Sequence, residues 1–455
     1  MQITNTVNNL MPNRLTLTDA AEVIRKGDLS SVSLVEACLA RIADIDATVC
    51  AWSALDEERV LSEAAALDDE ARADHFRGPL HGVPVGIKDI IFTKDYPTRG
   101  GSEFLANHIP ENDATVVQRL KEAGAVILGK TVTTEFAGFD PAETHNPWNP
   151  KHTPGGSSSG TAAAVASRMI PAALGSQTGG SISRPAAYCG VVGFKPTYGR
   201  VSLRGVLELA FSLDHIGPIT RTVGDAALMG QIIAGHDPKD PYSSDKPVDF
   251  TPRSFDTPPM IGLVHALFDR WTEDETRDIT RDALTRIENA GAETPVVRLP
   301  ESFKEVHAMH RIVMHAEGSA YHADRFSRKP KQFRPKIRAM IEEGLLLPAA
   351  AYVEAKKHQS IFRRDIQCSF KDADVIVTPA TPAPAPYGLE STGDPLFNSP
   401  WSHSGLPTVV IPVGLTHSGL PIAIQLIGRA YDEASLLGAA AWCESILAFS
   451  AEPNL

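Results

Sequence analysis

Three residues in the first half of the chain have the types and settings needed for acyl-transfer chemistry. Lys88 lies in the largely apolar segment 82–89, Ser157 begins a run of three serines, and Ser181 directly follows two glycines. Burial among apolar side chains lowers the pKa of a lysine, so the neutral amine can act as a general base. Serine becomes an effective nucleophile once a base removes its proton.

The glycines before Ser181 add a means of stabilising negative charge. Their backbone N–H groups are unobstructed and can point at a developing oxyanion, where losing one donor costs about 3–4 kcal/mol. Ser157 can pass a proton between base and nucleophile, so the combination predicts a serine hydrolase that works without histidine. The residues alone leave a second interpretation open, a Gly/Ser-rich turn region in which the Lys88 ammonium reaches solvent.

The segment 124–131 matches the phosphate-binding pattern Gly-x4-Gly-Lys-Thr, with Lys130 at the lysine position. That pattern needs a flexible loop whose backbone N–H groups wrap the phosphates. Here the four middle residues are Ala-Val-Ile-Leu, which predict a strand. We interpret the segment as a buried strand ending at Gly129, and keep nucleotide binding through Lys130 as the hypothesis from another functional class.

The segment 156–160 matches the nucleophile-elbow pattern Gly-x-Ser-x-Gly, centred on Ser158. An elbow must follow a strand directly. The preceding residues 146–154 contain three prolines, one tryptophan and otherwise polar residues, which do not predict a strand. Ser158 is therefore a poor candidate for a nucleophile, and we expect it to support the start of the next helix.

Several segments resemble the amidase signature family, whose catalytic set is Ser–cis-Ser–Lys. The resemblance covers roughly residues 15–230 and 370–447, with gaps of 69 residues from Lys88 to Ser157 and 24 from Ser157 to Ser181. The matching segments occur in the family's order: 154–160, 179–181, 405–407, 411–414 and 419–425.

The resemblance implies a role for each candidate residue. Ser181 would be the nucleophile that forms the acyl-enzyme, Ser157 the bridging serine after a cis Gly156–Ser157 peptide, and Lys88 the base. The oxyanion hole would be formed by four backbone N–H groups: those of Thr178, Gly179, Gly180 and Ser181.

The chain departs from the commoner family pattern at two places. Gln177 stands where many members have Asp, and Ser183 intervenes so that the arginine, Arg184, is three residues after Ser181 instead of two. This variant resembles the malonamidase-like branch, where the arginine holds a substrate carboxylate, as the bidentate guanidinium fork allows. The alternative is that Arg184 pairs with a carboxylate of the protein.

The alternation of strand-like and helical segments, together with the resemblance, predicts an α/β fold. We expect a single amidase-signature domain with a large mixed β-sheet core sandwiched between helices. Residues 15–75 are predicted to be helical, with a capping box at residues 33–36. The predicted parts are an N-terminal helical segment, the catalytic core, a helix-rich substrate-funnel region and the C-terminal core strands with a closing helix: 1–75, 76–230, 231–370 and 371–455.

Composition limits the functional classes. The 455 residues include 43 basic and 55 acidic ones, a net charge of −12, which argues against nucleic-acid binding. Five scattered cysteines and no apolar run of membrane-spanning length predict a reduced, soluble, cytoplasmic protein without membrane association. No cofactor or metal is expected. Four histidines in a short stretch are interpreted as surface or funnel residues: His307, His310, His315 and His322.

These observations favour a serine amidohydrolase that cleaves a C–N amide-type bond of a small molecule. Esters, carbamates and aryl anilides pass through the same tetrahedral oxyanion, so an esterase, carbamate hydrolase or aryl acylamidase stays open. So does a glutaminase-type subunit of a transamidation complex, although those members carry the commoner arginine position. The expected partner is a small amide or related acyl substrate, and a homodimer is consistent with the family.

Overall fold

One ten-stranded sheet forms the centre of the molecule. A computed structural model describes residues 11–455. Along the sheet the strands lie in the order β1-β3-β2-β4-β6-β5-β9-β10-β8-β7. Their ranges are Trp52–Leu55 (β1), Pro84–Lys88 (β2), Val126–Thr131 (β3), Ala172–Gln177 (β4), Val192–Lys195 (β5), His215–Thr220 (β6), Ile261–Leu263 (β7), Val375–Pro379 (β8), Thr408–Leu415 (β9) and Pro421–Ile427 (β10).

Fourteen α-helices occur within the described residues. In chain order, α1 to α14, they are Leu17–Arg25, Ser31–Val49, Glu57–Arg72, Thr115–Glu122, Ser159–Ala166, Ser183–Cys189, Val223–Ile233, His265–Arg270, Asp274–Asn289, Val306–Arg328, Pro335–Leu346, Ala349–Asp365, Ser399–Ser404 and Glu433–Leu447. None of the helices in residues 11–455 is long and apolar enough to cross a bilayer.

Helices cover both faces of the sheet. Successive strand residues point to opposite faces, and in β9 Val409 and Ile411 belong to one hydrophobic cluster while Val410 belongs to another. The first cluster contains apolar residues of α7, α9 and α14, and the second contains those of α5 and α6. The predicted α/β fold, a mixed sheet between helices, is confirmed.

Two local predictions for residues 15–75 were wrong. A short strand, β1, interrupts the expected helices and pairs antiparallel with β3. The helix α2 begins at Ser31, because the Ser30 side chain accepts a hydrogen bond from the Ser33 N–H and is the actual N-cap. Several serines in this stretch are suitable caps, so the pattern at residues 33–36 did not fix the first residue of the helix.

The sheet brings the ends of two important strands together. β2 pairs in parallel with both β3 and β4. Parallel strands end at the same edge of a sheet, so Lys88 at the end of β2 lies beside the end of β4, where the chain continues toward Ser181.

The glycine that ends the Gly/Ser-rich segment is needed for packing. Gly160 is the second residue of α5, and a Cβ atom there would lie 2.2 Å from the Ala51 carbonyl oxygen and 2.5 Å from the Val132 nitrogen. Both atoms belong to backbone and cannot move aside easily. Gly224, the second residue of α7, offers a comparison, because a Cβ there would meet nothing closer than 3.9 Å.

We predict opposite effects for alanine at these two glycines. Gly160→Ala should lower the free energy of unfolding by about 1–3 kcal/mol or more, because the added methyl overlaps backbone. Gly224→Ala should leave it unchanged or raise it by up to about 1 kcal/mol, since alanine is the better helix former. Thermal unfolding of both variants measures the difference, and equal melting temperatures would contradict the packing argument.

Candidate active site

The amine of Lys88 lies inside the protein. All five residues of β2 are buried, and Lys88 is 0 % exposed. Its Nζ atom is 2.7 Å from the Ser157 Oγ atom and 2.7 Å from the Ser176 Oγ atom. The structure thus brings the predicted base and the predicted bridging serine into contact. It also adds Ser176, in β4, which no sequence motif marks; its only signal is its place on the strand beside β2.

Burial determines the protonation of this amine. Desolvation lowers the pKa of Lys88 well below its ordinary value, the carboxylate of Asp214 opposes this shift, and the positive charge of Arg184 adds to it. A lysine in this setting is held as a neutral amine at a lower pH than a lysine in water. A lowered pKa is the direction of shift expected for a lysine that acts as a base.

Ser157 is held by the loop between β3 and α5. It is 1 % exposed, its carbonyl accepts a hydrogen bond from the Thr134 N–H at 3.3 Å, and the Gly156–Ser157 peptide is cis. Gly155 before it has φ +83°, and a Cβ there would lie 2.9 Å from the Cα atom of Pro185. The backbone at Gly155 thus lies too close to α6 for a side chain, which explains why this position of the motif is a glycine.

Gln177 organises the loop that carries Ser181. Its Oε1 atom accepts hydrogen bonds from the N–H groups of Ile182 and Ser183, both at 2.9 Å. Its Nε2 atom donates to the Ser402 hydroxyl at 3.1 Å, and that hydroxyl donates to the Gly179 carbonyl at 3.0 Å. A glutamine can both accept and donate here, whereas an ionised Asp can only accept.

The predicted oxyanion-hole residues form one continuous turn. Within residues 11–455, no hydrogen bond is donated by the backbone N–H groups of Gly179, Gly180 or Ser181. The fourth residue, Thr178, donates its hydroxyl to Asp214 at 2.5 Å. Asp214 also accepts from two backbone N–H groups, and burial raises its pKa to about 7. No motif pointed to Asp214, since its role depends on contacts across the fold.

Ser181 faces a large cavity of about 530 Å³. The other predicted oxyanion residues and Arg184 also line this cavity, whereas Lys88 and Ser157 do not. Within the described residues Ser157 is hydrogen-bonded to Lys88, and no hydrogen bond joins it to Ser181. The remaining wall is largely apolar, with side chains from several parts of the chain: Phe139, Leu209, Met314, Met340, Leu396 and Pro395. The cavity is therefore suited to a small organic molecule that presents its acyl carbon to Ser181.

Arg184 is buried and hydrogen-bonded within the protein. Its Nη2 atom donates to the Gly156 carbonyl at 2.7 Å and to the Thr392 hydroxyl at 3.1 Å, and its Nη1 atom donates to the Gly393 carbonyl at 3.0 Å. These acceptors are neutral, so a pairing of Arg184 with a protein carboxylate, one of the two alternatives, is not seen among the described residues.

The structure also describes the two pattern matches that the sequence analysis disfavoured, the phosphate-binding pattern at residues 124–131 and the nucleophile-elbow pattern at residues 156–160. Lys130 is inside β3, 0 % exposed, with its amine donating to the Ile91 carbonyl and the Thr98 hydroxyl and lying 3.3 Å from Asp89. A loop, not a strand, precedes Ser158. The expectation that its side chain supports the start of α5 was wrong: Ser158 is at the N-cap, but its hydroxyl makes no capping hydrogen bond and donates to the Ser176 carbonyl instead. Neither residue lines the large cavity.

The four histidines lie on α10. His307, His310 and His315 line the cavity, while His322 packs against the ring of Phe136 at a centroid distance of 4.5 Å. Burial lowers the pKa of His310 and of His322 to about 3. No group of three or more His, Cys, Asp or Glu side chains in the described part of the chain is arranged to hold a metal ion.

Comparisons with known proteins show what the chain is similar to. A family model described as Amidase matches residues 33–437. The chain is 39 % identical to a Glutamyl-tRNA(Gln) amidotransferase subunit from Roseiflexus sp. (strain RS-1), over 93 % of this chain and 95 % of that protein. The peptide amidase of Stenotrophomonas maltophilia has a TM-score of 0.84 at 30 % identity, with coverage of 97 % and 98 %.

A third relative comes from a solved structure of a vestigial protein complex, connected with the evolutionary origins of an s-triazine catabolic enzyme. Its TM-score is 0.89 at 30 % identity, covering 97 % of this chain and all of that one. The relatives thus include proteins named for different activities, while the fold is shared along nearly the whole chain.

The buried amine predicts a specific pH dependence of stability. Below the unfolded-state pKa of about 10.4, unfolded lysine binds a proton that the folded, neutral Lys88 does not, so unfolding takes up one proton. This group therefore makes the free energy of unfolding rise with pH by about 1.4 kcal/mol per unit. Lys88→Met should lack that part of the slope, which urea unfolding at pH 7 and 8.5 can measure.

The wild-type protein is the control for this comparison, since both proteins share all other titrating groups. Equal slopes for the two would show that the Lys88 amine is charged in the folded state. That result would contradict its assignment as a neutral base.

Proposed function

This chain belongs to the amidase family, and from that membership and its site geometry we propose that it hydrolyses a C–N bond of a small amide through an acyl-enzyme on Ser181. The observation that carries the proposal is the buried Lys88–Ser157 hydrogen bond of 2.7 Å, together with the position of Ser181 in the wall of the cavity. A neutral base in contact with a hydroxyl is the arrangement that activates a serine without histidine.

In the proposed first step, the Ser181 Oγ atom attacks the acyl carbon of the amide. The Ser181 proton passes to Ser157 as the Ser157 proton passes to the neutral Lys88 amine. Negative charge that develops on the substrate oxygen is stabilised by the N–H groups of residues 178–181. The C–N bond then breaks, and the leaving amine takes a proton returned along the same path.

In the second step, water hydrolyses the acyl-enzyme. The water loses a proton through Ser157 to Lys88 as its oxygen attacks the acyl carbon. The same N–H groups stabilise the second oxyanion, and Ser181 regains a proton as the ester bond breaks. Atoms and charges balance over the cycle: one amide and one water yield one acid and one amine.

A second candidate is a glutaminase-type subunit that releases ammonia within a transamidation complex. It is supported by 39 % identity to a protein named as an amidotransferase subunit, over nearly the whole length of both chains. In that case the chain would act with partner subunits. An esterase, carbamate hydrolase or aryl acylamidase would use the same residues. A malonamidase-like preference rests on the position of Arg184 and needs its guanidinium free to bind a carboxylate.

Labelling of the nucleophile tests the proposal. A fluorophosphonate probe should modify wild-type protein at Ser181, and Ser181→Ala should abolish the adduct. Ser183→Ala is a matched control on the same loop, because the Ser183 hydroxyl has no hydrogen-bond partner within the described residues and should be dispensable. Mass spectrometry locates the adduct.

Turnover and purification then separate the candidates. Release of ammonia from small aliphatic and aryl amides would support the amidohydrolase, whereas activity on glutamine only together with a co-purifying chain would support the second candidate. An adduct on Ser158, or none on Ser181, would contradict the proposed nucleophile.

The pH profile tests Lys88 as the base. Protonation of the amine removes the base, so kcat/KM should fall as the pH is lowered through the Lys88 pKa, which burial holds well below its ordinary value. Lys88→Ala should reduce kcat by about two orders of magnitude or more at every pH and remove this acid limb. Near-normal hydrolysis by Lys88→Ala, with wild-type folding by circular dichroism, would overturn the mechanism.

A further inference from the structure

The buried wall of the large cavity carries a single charged side chain among the described residues. Arg184 is 5 % exposed. The other charged residues that line the cavity are exposed at its mouth, and they comprise two cations and two anions: Arg311, Lys336, Glu343 and Asp394. Arg311 is paired with Glu343. Three histidines also line the cavity, and burial lowers the pKa of each: His307, His310 and His315. An ion pair with a carboxylate deep in the cavity would therefore depend on Arg184.

The hydrogen bonds of Arg184 leave no free bidentate edge for a substrate carboxylate. A guanidinium binds a carboxylate bidentately through two adjacent N–H groups, either Nη1 with Nη2 or Nε with Nη2. Both arrangements use Nη2, and both of its N–H groups are already donated, to the Gly156 carbonyl and the Thr392 hydroxyl. The Nε atom is buried without a partner in the described residues.

The same bonds connect three segments around the nucleophile. Arg184 follows Ser181 by three residues, and its N–H bonds the Gly180 carbonyl at 2.8 Å. Its side chain reaches the carbonyl of Gly156, next to Ser157, and the loop at Thr392 and Gly393. Loss of the guanidinium would release the Ser157 loop from the Ser181 loop.

We propose, on the basis of the function proposed above, that the cavity selects uncharged amides and that Arg184 is a positioning residue. It fixes Ser157 relative to Ser181 by joining the carbonyl of Gly156 to the 392–393 loop, and it does not anchor a substrate carboxylate. The acyl part of the substrate is neutral and largely apolar, in agreement with the wall around Ser181.

A neutral fluorophosphonate probe distinguishes the two roles, because it carries no carboxylate. Arg184→Met should slow labelling of Ser181 by about tenfold or more, since several hydrogen bonds to a charged group are lost. Thr392→Val removes one acceptor of the set and should slow labelling by about two- to fivefold. Arg72→Met, at an exposed arginine on α3 that does not line the cavity, is the matched control and should label at the wild-type rate.

The pH profile of labelling separates an electrostatic effect of Arg184 from a general structural disturbance of the site, because such a disturbance would not shift the acid limb. The Arg184 charge lowers the pKa of Lys88, so Arg184→Met should shift the acid limb to higher pH. Arg184→Lys keeps the charge and should leave the limb in place, while still labelling more slowly than wild type. A wild-type labelling rate in Arg184→Met would overturn the proposal.

Protection experiments test the substrate class. Benzamide, a neutral amide, should slow labelling of the wild type, whereas malonate should not. Turnover of two substrates of similar size, neutral malonamide and anionic malonamate, tests the same point. The kcat/KM for malonamide should be at least as high as the kcat/KM for malonamate. Protection by malonate that is lost in Arg184→Met would establish a carboxylate anchor and overturn the proposal.

Thermal unfolding in the presence of malonate tests the substrate class even if neither the wild type nor any variant is labelled. Absence of any adduct on the wild type contradicts the proposed nucleophile. In that event, malonate that raises the melting temperature of wild type but not of Arg184→Met still overturns the neutral-substrate proposal. The absence of such a shift supports it.

Discussion

The site depends on keeping an uncharged amine inside the protein. A lysine at the end of a fully buried strand loses its hydration, and the ammonium form is disfavoured. The compensation seen here is two short hydrogen bonds, to Ser157 and Ser176. In the proposed mechanism, the burial that disfavours the charged form also provides the base. Asp214 and Arg184 carry opposite charges and shift the pKa of this amine in opposite directions: Asp214 raises it and Arg184 lowers it.

Side chains, more than regular structure, hold the loops that meet at this amine. Gln177 and Ser402 fix the turn at residues 177–183, Asp214 fixes Thr178, and Arg184 joins the turn to the Ser157 loop. Ser402 is 225 residues beyond Gln177 in the chain. The oxyanion geometry therefore depends on the C-terminal part of the sequence as much as on the motif itself.

Features that depend on residue type and on the spacing of nearby residues could be predicted from the sequence. The apolar tetrad at residues 125–128 predicted a buried strand despite a phosphate-binding pattern, and the lysine and serines were recognisable by type and spacing. The role of Arg184 was not predictable, because its acceptors Thr392 and Gly393 lie more than 200 residues away. The strand at residues 52–55 was missed since four residues beside an Ala-rich helix carry little periodic signal.

The order of strands in the sheet has a consequence for how the protein is made. β5 lies between β6, which is close in the chain, and β9, which begins at Thr408. During synthesis, the edge of β5 is complete in sequence more than 200 residues before its second neighbour emerges. An unpaired strand edge is a site for wrong association. The sheet can therefore close only after the last two strands, β9 and β10, have been translated, and one edge of β5 has no strand to pair with until then.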